Sequence, residues 1–127
     1  MVYDKYKILI VDDNPSFIKA FEVLLKSVLG SNLKQLDIAN NGLEALEMAK
    51  SNTYDYIFMD VNMPEMNGIA ATKIINRESS RYTNVIAISF NNDFETVVDI
   101  IKSGARRFIN KANLTYDEVV KIFDLDM

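Results

Sequence analysis

Asp12 and Asp13 stand side by side directly after the apolar run KILIV (7 to 11), and Asp60 directly follows YIFM (56 to 59). A carboxylate at the mouth of a buried apolar strand is costly to strip of water unless it is paired or holds a cation. Ser89 closes another apolar run, VIAIS (85 to 89), and Lys111 follows RRFIN (106 to 110). Three acids drawn into one crevice repel one another, and protonation or a divalent cation relieves that repulsion. With no His and no Cys in the chain, the ligands would all be oxygens, which favours Mg²⁺ or Mn²⁺ over zinc or copper. Magnesium takes a few protein oxygens and keeps several waters, so positions stay open to a phosphate oxygen. An ammonium and a hydroxyl at the same rim would complete a cradle for a phosphoryl group, which needs from a protein mainly positioning and charge neutralisation. Asp60 is the best placed nucleophile, because a carboxylate attacks phosphorus without first losing a proton. The resulting acyl phosphate stores free energy, so it serves as a covalent intermediate and as a switch.

These residues meet only if the strands that end in them lie together. The five strand-like runs are 7 to 11, 35 to 39 (QLDIA), 56 to 59, 85 to 89 and 106 to 110. They alternate with segments of helical spacing, the pattern of an α/β fold, a doubly wound open sheet of five parallel strands with five helices. The first helix starts at an Asn14 cap with Pro15 in its first turn, repeats Phe17, Ile18, Phe21, Leu24, Leu25 and Val28 on one face, and stops at Gly30. The second follows Asn41-Gly42, with Leu43, Leu46 and Ala49 expected inward. The third begins near Gly68 and carries Ile69, Thr72, Ile74 and Ile75 before Arg77-Glu78-Ser79-Ser80 dissolves the pattern. The fourth is expected from about Asn92, with Phe94, Val97, Val98 and Ile101 as its apolar face, to Ser103-Gly104. The last spans Tyr116 to Asp124. In such a sheet the ligand crevice lies beyond the carboxyl ends of the strands. Strand two alone ends without a charged or hydroxyl side chain, at Ala39-Asn40. That asymmetry fits the flavodoxin-like order 2-1-3-4-5, in which strand two is an edge.

The bulk numbers narrow the classes. At 127 residues the whole of 1–127 reads as one domain, long enough to bury a sizeable core. The net charge of -4 and the scatter of the 14 basic residues argue against direct nucleic-acid binding. The absence of His and Cys removes Ser-His and Cys-His catalysis, disulfides and thiolate metal sites. No run approaches the ~20 apolar residues of a membrane span, and MVYDKYK leads into a strand rather than a signal-peptide core. A cytoplasmic address is expected.

Taken in order, Asp12-Asp13 after the first strand, Asp60 in YIFMDVNMPEMNG, Ser89 ending the fourth strand and Lys111 after RRFIN resemble the receiver domain of bacterial two-component response regulators over essentially the whole chain. The resemblance implies Asp60 as phosphoacceptor, and Asp12, Asp13 and Asp60 as the magnesium carboxylates with the backbone carbonyl of Asn62 as a further ligand. It implies Ser89 and Lys111 as holders of the phosphoryl oxygens, and Phe108 as the aromatic that swings inward when Ser89 moves onto the phosphoryl group. The surface of helix four, strand five and helix five would change with it. With no His in the chain, the donor would be the phosphohistidine of a sensor histidine kinase or histidine phosphotransfer protein, or a small acyl phosphate; an unnamed output target or domain would read the switch. Only self-catalysed phosphorylation and slow autodephosphorylation are implied, not a turnover enzyme. Met63-Pro64 and Gly68 match the family's loop into the third helix.

The sequence also departs from that family. Phe90 follows Ser89 where a small residue is usual, and its ring would either screen an aspartyl phosphate from water and lengthen its life or obstruct a partner. Asn62 and Asn91 occupy positions where the family tunes hydrolysis. Ala112 replaces a common proline after Lys111, so the Lys111-Ala112 bond is expected to be trans. Arg106-Arg107 does not resemble the acidic strand-five signature of one dimeric subgroup, which leaves dimerisation open. Two other classes compete: a magnesium-dependent phosphohydrolase, which would want its nucleophile on strand one with a second Asp where Asn14 stands, and a binding-only pseudo-receiver, which would have little use for the full acidic set.

Overall fold

The computed structural model describes residues 6–63, 67–78, 83–91 and 93–123. Pro64, Ser79-Ser80, Asn92, Asp124 and the first five residues, on which some of the expectations above fall, lie outside the described residues. Five strands, β1 (Tyr6–Val11), β2 (Leu33–Ala39), β3 (Tyr56–Asp60), β4 (Asn84–Ser89) and β5 (Arg107–Asn110), alternate with five helices, α1 (Pro15–Leu29), α2 (Gly42–Ser51), α3 (Gly68–Glu78), α4 (Phe94–Lys102) and α5 (Tyr116–Phe123). All the strand pairs are parallel and the order is β2-β1-β3-β4-β5, the expected flavodoxin-like arrangement.

Strand side chains point alternately to the two faces, and both faces are covered, so β1 and β3 read as unbroken apolar runs. Ile8, Ile10, Phe58, Ile86 and Ile88 pack against α1 and α5 through Phe21, Leu25, Val119 and Ile122. Leu9, Val11, Ile57 and Met59 face the other way, against Ala45 of α2 and Ala71 and Ile75 of α3. A smaller cluster of Val61, Ala87 and Ile100 seats α4, with Phe108 packed beside it. An aromatic chain stiffens the first face: the Phe21 and Phe58 rings meet edge to face at 4.9 Å, and Phe123 meets Tyr56 at 4.6 Å.

The helices start where side chains satisfy their free N–H groups. Asn14 Oδ1 accepts from Phe17 N–H at 3.1 Å, Asn41 Oδ1 from Glu44 N–H at 2.8 Å, and the Asp93 carboxylate from Thr96 N–H at 3.2 Å and Thr96 O–H at 2.7 Å. The Asp93 cap places the start of α4 at Phe94 rather than Asn92. On that helix Ile100 is the buried residue, packed with Val61 and Ala87, and Phe94 and Ile101, expected inward, are 82% and 63% exposed. On α2 the residues Gly42 and Ala45 are buried, with Leu46, Met48 and Ala49 packed partly buried on the same core, while Leu43, expected inward, is exposed. α1 ends at Gly30, whose φ of +52° is open to glycine at little cost.

Phe58 is fully buried and touches both α1 and α5 through its ring partners. Phe58→Ala is expected to cost about 3–5 kcal/mol of unfolding free energy, from lost burial plus the cavity left behind. Urea unfolding followed by circular dichroism measures it, and a loss under about 1 kcal/mol would mean the core collapses into the space.

Candidate functional site

The register of the sheet brings the strand ends level. Val11 pairs with Ala39 on one side and with Met59 on the other, Asp60 pairs with Ile88, and Ser89 pairs with Asn110. Asp12 therefore leaves β1 beside the Asp60 end of β3, with its N–H bonded to Ala39 O at 3.1 Å. Lys111 emerges directly after β5. Its Nζ lies 2.8 Å from Asp12 Oδ2 and 3.7 Å from Asp60 Oδ2. Carboxylate oxygens of Asp12, Asp13 and Asp60 lie within 4.8 Å of one another, with Asp12 and Asp60 buried and Asp13 exposed. Asp12 Oδ1 accepts from Asn14 N–H at 2.9 Å and Asp60 Oδ1 from Asn62 N–H at 3.3 Å.

Ser89 is fully buried. Its Oγ accepts from Asn91 N–H at 2.9 Å and from the Asn62 amide at 3.4 Å, so it joins the acid cluster through Asn62. The sequence-selected residues Asp12, Asp13, Asp60, Asn62, Ser89 and Lys111 thus share one end of the sheet. Phe108 does not join them. It is half-buried on β5, paired in register with Ala87 and set against the α4 cluster, three residues before Lys111. No cis peptide bond occurs among the described residues, and Lys111–Asn113 forms a 3-10 turn held by Asn110 Oδ1 accepting from Ala112 N–H at 2.9 Å.

Burial raises the Asp60 carboxyl from its ordinary 3.8 to about 6; the nearby Asp12 charge adds to the rise, while the Lys111 ammonium and the Asn62 N–H oppose it. One lysine does not balance three carboxylates. An acidic crevice with one open, exposed ligand and an excess of negative charge suits a hard divalent cation with its waters.

Gly68 is part of the site, and the close approach it permits is visible only in three dimensions. A Cβ on Gly68 would fall 2.1 Å from Asp60 O, and the Gly68 N–H bonds Val61 O at 3.0 Å. The absent side chain lets α3 begin against the strand that carries the central acid. Phe17 was legible only as a core residue of α1, yet its ring centroid lies 4.4 Å from Lys111 Nζ. By contrast, a pocket of about 310 Å³ lined by Leu46, Ala49, Tyr54, Ile57 and Ile75 opens between α2 and α3 at the other end of the sheet, remote from these groups.

Residues 8–123 match the response regulator receiver domain family. The chemotaxis protein CheY of Bacillus subtilis (strain 168) is 36% identical over 107 residues, covering 84% of this chain and 85% of that protein. Hybrid signal transduction histidine kinase B of Dictyostelium discoideum is 32% identical over 128 residues, 91% of this chain and 6% of that kinase. The chain likewise spans 7% of a relative named probable histidine kinase 1 from Oryza sativa subsp. indica and 15% of the CAI-1 autoinducer sensor kinase/phosphatase CqsS of Vibrio cholerae. Among solved structures, the receiver domain of a sensor histidine kinase from Pseudomonas aeruginosa PAO1, which holds a magnesium ion in its active-site cleft, superposes with a TM-score of 0.81 at 26% identity, covering 94% of this chain and 95% of that one.

Two outcomes test the geometry. An Asp whose folded-state pKa lies above its unfolded value supports the fold fully below the unfolded value, and that support is lost as pH rises through the folded one. With the Asp60 carboxyl at about 6 against 3.8, Asp60→Asn is expected to make the metal-free protein more stable at pH 7.5 by about 1–3 kcal/mol, with the difference vanishing toward pH 4. Urea unfolding at both pH values checks this; equal stability at pH 7.5 would mean that Lys111 already balances the Asp60 charge. Gly68→Ala is expected to lower stability by about 2 kcal/mol or more, since the clash is with backbone, and a thermal midpoint unchanged from the native chain would contradict the close approach.

Proposed function

This chain belongs to the response regulator receiver domain family of two-component phosphorelay signalling, and we propose that Asp60 is the carboxylate that accepts the phosphoryl group. The observation that carries this reading is Lys111 Nζ, 2.8 Å from Asp12 and 3.7 Å from Asp60: a buried cation that already spans the two acids on which metal and phosphoryl group would converge. Asp12, Asp13, Asp60 and the backbone carbonyl of Asn62 are the proposed ligands of Mg²⁺, or of Mn²⁺. When bound, the metal neutralises the acids and draws charge from a phosphoryl oxygen.

The chain's own residues do the remainder. Asp60 oxygen forms a bond to phosphorus as the bond from phosphorus to the donor nitrogen of a phosphohistidine, or to the oxygen of an acyl phosphate, breaks with its electron pair. Lys111, held at Asp12, extends a donor toward a phosphoryl oxygen. Both bonds seen at Ser89 use its oxygen as acceptor, which leaves the hydroxyl proton for another phosphoryl oxygen. Movement of Ser89 would open space that Phe108 fills, since Phe108 lies against the Val61, Ala87 and Ile100 cluster under α4. The α4, β5 and α5 surface would then carry the signal to an output domain or target. The donor would be a sensor histidine kinase or a histidine phosphotransfer protein, in the cytoplasm, and residues 1–127 would act as one receiver unit with self-catalysed phosphorylation and slow autodephosphorylation.

Incubation with acetyl phosphate and Mg²⁺, followed by intact-mass spectrometry, is expected to add one phosphate to the native chain and none to Asp60→Asn. Chelation of the metal should abolish the adduct. Labelling of the variant to the native extent would place the acceptor elsewhere, and no adduct on the native chain would favour a receiver-like fold that works by binding alone.

A further inference from the structure

We propose that Phe17 and Phe90 are positioning residues for Lys111, two rings that flank its ammonium and hold it across Asp12 and Asp60. The proposal rests on the reading of Asp60 as phosphoacceptor and adds to it the device that aims the lysine.

A lysine at the end of a strand has a flexible four-carbon stem, and its rotamer freedom opposes any single placement of the charge. Lys111 is nevertheless 92% buried at its side chain, since only 8% of it is exposed. One side of the ammonium faces Asp12 and Asp60. Two other neighbours are aromatic: the Phe17 ring centroid at 4.4 Å and the Phe90 ring centroid at 5.6 Å. Both distances fall within the range in which a ring's π face attracts a cation, and burial strengthens that attraction. The chemistry of the contact matters. A ring attracts the charge without offering a strong hydrogen-bond acceptor, so the three ammonium donors stay free for carboxylate and phosphoryl oxygens. A Glu or Asn in either place would compete for them.

Each ring is tied to the site through a second contact. The Phe17 N–H donates to Asn14 Oδ1, and the Asn14 N–H donates to Asp12 Oδ1, so one residue fixes both the first ring and the acid with which Lys111 pairs. Phe17 also packs on Phe21 at 5.5 Å, which anchors it to the core. Phe90 is 69% exposed, but its carbonyl accepts from the amide of Asn110 at 3.4 Å, and Asn110 immediately precedes Lys111. The inner ring is therefore the firm one and the outer ring the cover. This also accounts for a large apolar side chain beside the fourth-strand serine and for its unusual exposure.

The test is a double-mutant cycle on the rate of phosphorylation by acetyl phosphate in saturating Mg²⁺. Phe17→Leu is expected to slow the reaction about 3- to 10-fold, and Phe90→Leu about 2- to 3-fold, the size of a cation–π contact that is partly desolvated. Phe17→Tyr keeps the π face and should stay within about 2-fold of the native chain. In a Lys111→Met background, Phe17→Leu and Phe90→Leu should have no further effect, because the charge they hold is gone. Loss by the same factor in both backgrounds, or no loss in the native background, overturns the proposal. If Phe17→Leu fails to fold, the exposed Phe90 carries the same cycle with the same two overturning results. A native chain that takes up no phosphate defeats the phosphoacceptor reading as well; a labelled native chain indifferent to both rings defeats only the role of the rings.

Discussion

The fold turns on burying more negative charge at one end of its sheet than it balances there. Asp12 has no exposed surface and Asp60 has 5%, and Asp13 is close enough for one cation to bridge all three. Lys111 is the neighbouring cation, and removing one partner of such a buried pair commonly costs about 3–5 kcal/mol because the other charge is stranded. The residual imbalance appears in Asp60, whose carboxyl is pushed up to about 6 by burial first and by Asp12 second. A protein optimised for stability alone would replace these acids by apolar groups of similar size. Their presence makes sense where a divalent cation and a phosphoryl anion complete the charge set.

The parallel sheet is what makes that concentration of charge sterically feasible. Parallel strands all deliver their carboxyl ends to one side, and the register places Asp12, Asp60 and Ser89 within one residue step of each other across β1, β3 and β4. The apolar faces of those strands, packed on α1 and α5 on one side and on α2 and α3 on the other, supply the burial that offsets the electrostatic cost. The same packing anchors the strand that carries Asp60, since Phe58, two residues before it, lies between Phe21 and Phe123. Gly68 then allows α3 to start against the carbonyl of the phosphoacceptor candidate itself. The α/β core and the charged crevice are thus one object: the strands that build the first end as the walls of the second.

Much of this was legible in the chain as written. The strands followed from the strand-like runs alternating with helical spacing, the one strand end without a charge or hydroxyl, Ala39-Asn40, agreed with strand two at an edge, and the acids and the lysine followed from what stands after each run. Helix faces were less legible. Leu43, Phe94 and Ile101 fit a helical apolar stripe, yet lie exposed, because Gly42, Ala45 and Ile100 take the inner positions. Periodicity reports that a face is apolar without saying whether the sheet or a partner covers it. The start of α4 was set by Asp93, whose two bonds to Thr96 form a cap that an adjacent Asn could equally have supplied. The roles of Gly68 and Phe17 depend on distances between segments far apart in sequence, to an Asp60 carbonyl in one case and a Lys111 ammonium in the other, and no local pattern encodes them.

The position of Lys111 links the resting charge distribution to a switch. The ammonium sits closer to Asp12 than to Asp60, so it is held chiefly by the acid that would remain unchanged through phosphorylation. A phosphoryl group arriving on Asp60 brings further negative charge to the longer of the two contacts, and the lysine need shift only part of the way to follow it. Such a short movement suits a side chain that aromatic rings restrain without tying up its donors. It also couples two elements, because Lys111 follows β5 directly and Asn110 joins that strand to the backbone of Phe90 at the head of the loop into α4. A displacement of the charge at the crevice would therefore be felt first on the β5 and α4 side of the molecule, where Phe108 packs against the small cluster that includes Ile100.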